Sequence, residues 1–336
     1  MRVPSAFPVV VFLLCSLNVA ACSSRQPSTA EGQPGASLTQ QAITPAVARD
    51  GTEAAPEGGT ASLPKEGCEV RTSPGPGGPV TDPQGPYYHR VAVARIANGE
   101  RLSDAKVVLD HASVPDGVET AGGRVLIYYV NGADHGVFVA ELDGDAATPL
   151  GPITLDGVPK PQGVVDPDAT LLSDGRIRLA YMSGMGGPGG AGGWSMCLAD
   201  STDGVNFTVI GQALRFTSTV STDPSLAELP GGGWLMAVSQ GANTVLARAN
   251  DGLQFEVFAT VDYGGVPEVT ILADGRVALY VCSMNGIGFH ASADQGKTWR
   301  QVATIASPIA GSKLFCDPSV VTGTDLFVFK VGPGKE

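Results

Sequence analysis

Basic side chains are scarce in this 336-residue chain, with 21 Lys and Arg against 33 Asp and Glu and a net charge of −12. The few lysines are scattered, so no basic face is available to neutralise phosphates, and nucleic acid is excluded as a partner. Histidine occurs only four times. His89, His111 and His290 have no metal-ligand spacing, so no metal site is assigned to them. Past the N-terminus no apolar run reaches the ~20 residues that a bilayer span requires. A dinucleotide site is missing too. Gly184, Gly186 and Gly189 fit Gly-x-Gly-x-x-Gly, but they sit in a Gly-rich connection with no helix after it to receive a pyrophosphate. That connection, Gly184 to Gly193, reads either as a lid or as a tolerated insertion.

What is present begins with an export segment, residues 1–22. Arg2 gives a positive start, Phe7 to Leu14 an apolar run broken by Pro8, and Val19, Ala20 and Ala21 place small residues before Cys22. The series Val-Ala-Ala-Cys resembles the lipobox of bacterial lipoproteins, which implies cleavage before Cys22 and a diacylglycerol on its thiol. Membrane attachment then rests on the lipid alone. Ser23 and Ser24, by the same resemblance, imply the outer membrane of a Gram-negative cell envelope; cleavage near Ala21 without lipidation is the alternative and gives a secreted protein. Residues 23–86 are rich in Pro, Gly, Ala, Ser, Thr and Glu and read as a disordered tether, since they bury too little to offset ordering entropy. Its last part, Cys68 to Pro86, either belongs to the tether or packs on the domain. Export places Cys68, Cys197, Cys282 and Cys316 in an oxidising compartment, where three full pairings are open.

Residues 87–336 carry a repeat marked by proline. Pro115, Pro167, Pro224, Pro267 and Pro318 are separated by 52, 57, 43 and 51 residues, and a turn follows each of them seven residues later, at Gly122, Asp174, Gly231, Asp274 and Asp325. A β-branched or alternating run follows every turn. Each copy therefore opens with a hairpin, the proline standing at the first residue of its first strand and the residue before it extended. Between the hairpins lie Ser201-Thr-Asp203-Gly204, Ala249-Asn-Asp251-Gly252 and Ser292-Ala-Asp294-Gln-Gly296, each with an aromatic residue three positions after the glycine: Phe207, Phe255 and Trp299. These resemble the Asp-box of sialidases and related propellers, whose aspartate caps turn amides and whose ring packs between sheets. Five copies of four strands imply an all-β, five-bladed β-propeller. The last copy has only two strands, and Arg90 to Ile96 with Leu102 to Leu109 supply the missing pair. The chain is expected to act as a monomer.

In that topology the residues flanking the marker prolines converge on the axis: Asp116, Asp166, Asp168, Asp223, Glu268 and Asp317. Carboxylates so crowded repel unless one is protonated, a polar ligand enters, or a cation such as calcium sits in the axial channel. The recurring Asp-Pro, Asp-Gly and strand-final Tyr look like the blades of five-bladed glycoside hydrolases, the arabinanase and xylosidase type of family 43 and their invertase-like relatives. The resemblance implies catalysis by Asp166, Asp223 and Glu268, carboxyls that can protonate a leaving oxygen and activate water or attack carbon. Glu268 departs from the family pattern in following its proline rather than preceding one. Asp116, Asp168, Asp317, His135, Trp194 and Tyr263 are candidate substrate contacts, although aromatics make up only 6% of the chain and offer few sugar platforms. Sialidase chemistry needs three arginines and a tyrosine nucleophile; Arg124, Arg176 and Arg276 start second strands on the opposite face, and only Arg215 stands near the rim. Cys282 ends a second strand and Cys316 precedes Asp317 on the next blade, so these two are expected to pair, leaving Cys68 with Cys197. Two functions result: a glycoside hydrolase-like propeller, or a non-catalytic surface propeller that binds glycan or protein.

Overall fold

The computed structural model describes residues 63–72, 82, 84–183 and 193–332. Cys22, residues 23–62 and most of the Gly-rich connection lie outside the described residues. Among those described, no helix is long and apolar enough to cross a membrane, and the only helical element is a single 3-10 turn, Pro86–Tyr88.

The architecture is an all-β propeller of five blades. Blade one contains β3 (Ala112–Glu119), β4 (Val125–Asn131), β5 (Val137–Asp143) and β6 (Ala146–Pro152). Blade two contains β9 (Val165–Leu171), β10 (Ile177–Ser183), β11 (Trp194–Ser201) and β12 (Asn206–Phe216), extended at its outer edge by the short β7 (Thr154–Leu155) and β8 (Val158–Pro159). Blade three is β13 (Thr222–Glu228), β14 (Trp234–Gln240), β15 (Asn243–Ala249) and β16 (Glu256–Val261), and blade four is β17 (Gly265–Ile271), β18 (Val277–Ser283), β19 (Gly286–Ser292) and β20 (Arg300–Ile305). Blade five joins the two ends of the domain. Its inner strands are β21 (Leu314–Val320) and β22 (Leu326–Gly332), and its outer strands are β1 (Arg90–Ala97) and β2 (Arg101–Asp110), with β1 antiparallel to β22 from Arg90↔Val331 to Arg95↔Leu326.

Alternating strands are apolar on both faces here because each sheet is covered on both sides by neighbours. The core accordingly divides into five clusters, one per interface. Tyr128 and Leu179 belong to the cluster between blades one and two, Met236 to that between two and three, Leu246 and Leu279 to the next, Phe289 and Phe327 to that between four and five, and Ile127 and Val328 to the closing one.

The turns between third and fourth strands lock the seams. Asp203 Oδ1 accepts the amides of Val205 and Asn206, each at 2.8 Å. Asp294 Oδ1 does the same for Lys297 and Thr298. Four of these turns present a carbonyl to the preceding blade: Tyr128 Oη donates to Gly204 O at 2.8 Å, Arg178 Nη1 to Gly252 O at 3.1 Å, Tyr280 Oη to Gly99 O at 2.9 Å, and Arg248 Nη2 to Gln295 O. Gly204 has φ +77° and abuts Leu126 and Tyr128 so closely that a Cβ would meet Leu126 Cδ1 at 2.4 Å, so both conformation and space require glycine.

Two features differ from the sequence expectations. The marker prolines stand inside the first strands, and the residue before each is left-handed rather than extended: Val114, Asp166, Asp223, Val266 and Asp317 have φ between 47° and 54°. A register shift falls at each site, for example between Ser113 and Asp116 or Thr222 and Ser225. This is a β-bulge, where a proline costs no ladder hydrogen bond. Secondly, part of the stretch read as tether packs on blade two. Leu63 is buried, Gln212 N donates to Pro64 O at 2.7 Å, and Cys68 is bonded to Cys197. The Cys282–Cys316 disulfide joins blades four and five.

Replacing Tyr128 by Phe leaves the Gly204 carbonyl buried without its donor. The expected cost is about 1–3 kcal/mol, read as a lower urea midpoint with an unchanged m-value.

Candidate axial carboxylate site

The five bulges bring ten side chains to the axis in two stacked rings. The residues before the prolines, Val114, Asp166, Asp223, Val266 and Asp317, form one; those after them, Asp116, Asp168, Ser225, Glu268 and Ser319, form the other. Residues two apart share one face of a regular strand, which is consistent with both flanks of each proline reaching the axis.

The second ring is a closed girdle. Each member accepts the backbone amide one residue further along on the next blade. Ala169 N donates to Asp116 Oδ2 at 2.7 Å, Leu226 N to Asp168 Oδ2 at 3.0 Å and Val269 N to Ser225 Oγ at 2.9 Å. Val320 N donates to Glu268 Oε1 at 3.1 Å, and Gly117 N to Ser319 Oγ at 3.0 Å, which completes the circle. Ser225 Oγ also donates to Glu268 Oε2 at 2.9 Å. All five residues are buried.

The girdle thereby packs three carboxyls close together. One oxygen from each of Asp116, Asp168 and Glu268 lies within 4.8 Å of the others. Burial pushes Asp116 up to about 7 and, with the repulsion of neighbouring carboxylates, holds Asp168 and Glu268 well above the carboxylate range. The cavity along the axis is about 20 Å³, room for one water or one ion and not for a sugar ring. The donor set suits a hard cation such as calcium, which takes oxygen ligands; otherwise the ring must carry protons.

The first ring differs in having its own counter-ion. Lys330, on β22, forms an ion pair with Asp317 in which both side chains are largely buried. Asp223 N donates to Asp166 Oδ2 at 3.3 Å, and Thr222 Oγ1 donates to Asp223 Oδ2 at 2.6 Å. Burial, reinforced by Asp317, raises Asp223 to about 6, with Lys330 opposing; burial and then Asp223 hold Asp166 well above its ordinary value. The Cys282 sulfur accepts the Asp317 amide at 3.1 Å, so the disulfide fixes that aspartate. His89 Nδ1 lies 2.9 Å from Ser113 Oγ, and burial together with Lys330 lowers the imidazole to about 4.

The structure thus brings Asp116, Asp166, Asp168, Asp223, Glu268 and Asp317 together along one axis, but at two depths. Asp166 and Asp223 share a ring with Asp317. Glu268 belongs to the deeper girdle, with both oxygens accepting protein hydrogen bonds. His135, Trp194 and Tyr263 do not line the axial cavity. His135 is exposed on the β4–β5 loop, Trp194 packs against the core of blades two and three, and Tyr263 stacks on His290 at 4.2 Å. Arg215 pairs with Glu66 at 2.9 Å. Arg124, Arg176 and Arg276 pair with Glu141, Asp174 and Asp274. Sequence reasoning missed Ser225, Ser319 and Lys330. The serines could have been found from their place directly after a marker proline, and Lys330 from being a charge inside the apolar run Phe327 to Val331.

No protein-family profile matches the chain, and no curated protein matches it in sequence. Solved structures do match its fold. A protein of unknown function from Dyadobacter fermentans has a TM-score of 0.52 at 15% identity, covering 76% of this chain and 85% of its own. An N-acetylgalactosamine deacetylase from F. plautii, solved with blood group B trisaccharide, has a TM-score of 0.52 at 14% identity, over 69% and 81%. A thermostable family-43 glycoside hydrolase has a TM-score of 0.50 at 12% identity, over 66% and 83%. At these identities the likeness establishes the five-bladed fold, and site chemistry has to be argued from residues.

Two outcomes test this electrostatic picture. Because the folded-state values of Asp116 and Asp223 lie above the unfolded 3.8, the stability these two groups contribute is fully present below about 3.8 and is lost as pH rises through about 6 to 7. In EDTA, the melting temperature should fall between pH 5 and pH 8; calcium should reduce the fall, and Asp116→Asn, which keeps an acceptor for Ala169 N, should flatten it. Lys330→Met leaves Asp317 buried and unpaired, a loss of about 3–5 kcal/mol. Adding Asp317→Asn should recover much of that loss in chemical denaturation.

Proposed function

We propose that this chain is a cell-envelope propeller, lipid-anchored through Cys22, that acts on glycans with glycoside hydrolase-like chemistry at the mouth of its axis. The observation that carries the reading is the Asp166–Asp223 pair, two adjacent half-buried aspartates whose environments hold their protons unequally. Glycoside cleavage needs one carboxyl to protonate the leaving oxygen and another to activate water or attack carbon. Asp166, held protonated by burial and by its neighbour, suits the acid; Asp223 is ionised above about 6 and suits the second role. Asp317 and Lys330 hold the local field. This assigns the chemistry to the first ring and leaves Glu268, Asp116 and Asp168 as structural members of the girdle, with a calcium ion among them as the proposed counter-charge. The turns at Asp203, Asp251 and Asp294 belong, in this reading, to the Asp-box type.

A second reading is binding of glycan or surface protein without cleavage. The narrow axis favours it, since a cavity of about 20 Å³ admits no sugar ring and confines any ligand to the mouth.

Purified chain assayed on aryl glycosides and polysaccharides should show turnover with a bell-shaped pH profile, rising through about 6 as Asp223 ionises and falling where Asp166 does. Asp166→Asn and Asp223→Asn should each lower the rate ~10²–10⁴-fold with the fold intact by circular dichroism. Affinity for a glycan without turnover on any substrate would establish the binding reading instead.

A further inference from the structure

A cavity larger than the axial one lies away from the axis. A cleft of about 500 Å³ opens on the flank between blades five and one, between the ends of β2 and β6, a size typical of small-ligand sites. This seam differs from the others. Gly144, the turn glycine of blade one, has nothing within 4 Å of a Cβ built on it, whereas Gly204, Gly252 and Gly99 dock on the blade before them. The cross-seam link near Gly144 is an exposed ion pair, Lys106 to Asp145 at 3.0 Å.

The lining is amphipathic. Phe138, Leu150 and Tyr129 supply apolar surface, while Asp110, His111 and Asn131 supply polar groups. His111 is held with unusual care. Its φ is +52°, a conformation that costs a non-glycine residue of order 1 kcal/mol or more and marks positions worth asking about. Its ring stacks on Tyr87 with centroids 4.0 Å apart, and Nδ1 lies 2.6 Å from Tyr87 O. A carbonyl only accepts, so Nδ1 donates to it and Nε2 is the ring's other polar atom. Tyr87 is itself fixed, because Pro86 lies against Gly132 so closely that a Cβ there would meet the Pro86 carbonyl carbon at 2.3 Å. Asn131 Oδ1 accepts the amides of Ala133 and Asp134 at 2.9 and 2.8 Å, which sets the neighbouring loop.

We infer that this cleft is a second, non-catalytic carbohydrate site that holds one or two neutral sugar units. A sugar ring has an apolar face of C–H groups and a rim of hydroxyls. The apolar face meets Leu150 and Phe138, and vicinal hydroxyls hydrogen-bond the Asp110 carboxylate and His111 Nε2. Acidic sugars are disfavoured by Asp110 and by the net charge of −12. The inference takes its ligand class from the glycan reading above, but none of its residues belongs to the axial rings.

The test is titration calorimetry of the full chain against neutral gluco-, xylo-, arabino-, manno- and galacto-oligosaccharides, with oligogalacturonate as the acidic counterpart. Two cleft variants are used. Leu150→Trp fills the cleft from a position that is 42% exposed, and His111→Asn removes the ring with a residue that tolerates the left-handed backbone. The third protein is the Asp166→Asn, Asp223→Asn double variant. Affinity for a neutral oligosaccharide should fall at least tenfold in both cleft variants and persist in the axial one, with oligogalacturonate binding more weakly. Binding that survives both cleft variants, binding lost only in the axial variant, or no binding of any neutral sugar by the unaltered chain would each overturn the inference. The second of these outcomes would leave the axial reading standing.

Discussion

Everything at the centre of this propeller depends on the circular set of hydrogen bonds from the residue after each marker proline to the next blade's amide. Five sheets wrapped round an axis present backbone donors to a space with no room for bulk water, and an unpaired buried amide is costly. The bulge solves this locally. The two residues flanking each proline both reach the axis, one side chain stitching the next sheet while the other remains at the mouth. The left-handed residue before each proline is the geometric cost of that solution, repeated five times and held in place by the packing around it.

The girdle also decides where charge accumulates. Serine suffices as an acceptor in two blades, yet three blades use a carboxyl, and these end within 4.8 Å of one another. A carboxyl that accepts an amide is stabilised in its charged form, whereas burial and like charge oppose that form. The opposing effects win in the deeper ring, which is therefore kept neutral by protons or by a cation. At the mouth, Lys330 answers part of the same conflict with a fixed positive charge, and the Cys282–Cys316 bond holds the aspartate that it pairs with. Two rings of similar composition thus have different chemistry: one is a structural closure, the other a partly buried set of unequal acids with its own cation.

The seams between blades follow the same economy of repeated contacts, and their exception is informative. Blade five is assembled from both ends of the domain, through β1 against β22. Its join to blade one lacks the turn-to-blade contact of the other seams and opens into the amphipathic cleft. The segment at residues 63–72 strengthens a different place, β11 and β12 of blade two, through the Cys68–Cys197 bond and the Gln212 amide.

The spacing of Pro115, Pro167, Pro224, Pro267 and Pro318, with turns seven residues on, was enough to determine five blades, their hairpins and the closure by split halves, because each blade repeats the same local instruction. The convergence of six acids on the axis was legible for the same reason, as was the pairing of Cys282 with Cys316. Depth along the axis was not. Whether Glu268 lies beside Asp166 or beneath it depends on a bulge that pairs each proline's neighbours with amides of the next blade, and such a contact joins residues about fifty positions apart. Nor could the sequence show that Lys330 reaches Asp317, or that Tyr87, His111 and Gly132 meet at one seam. Those relations exist only once the circle is closed, since they are contacts between blades and no single blade encodes them.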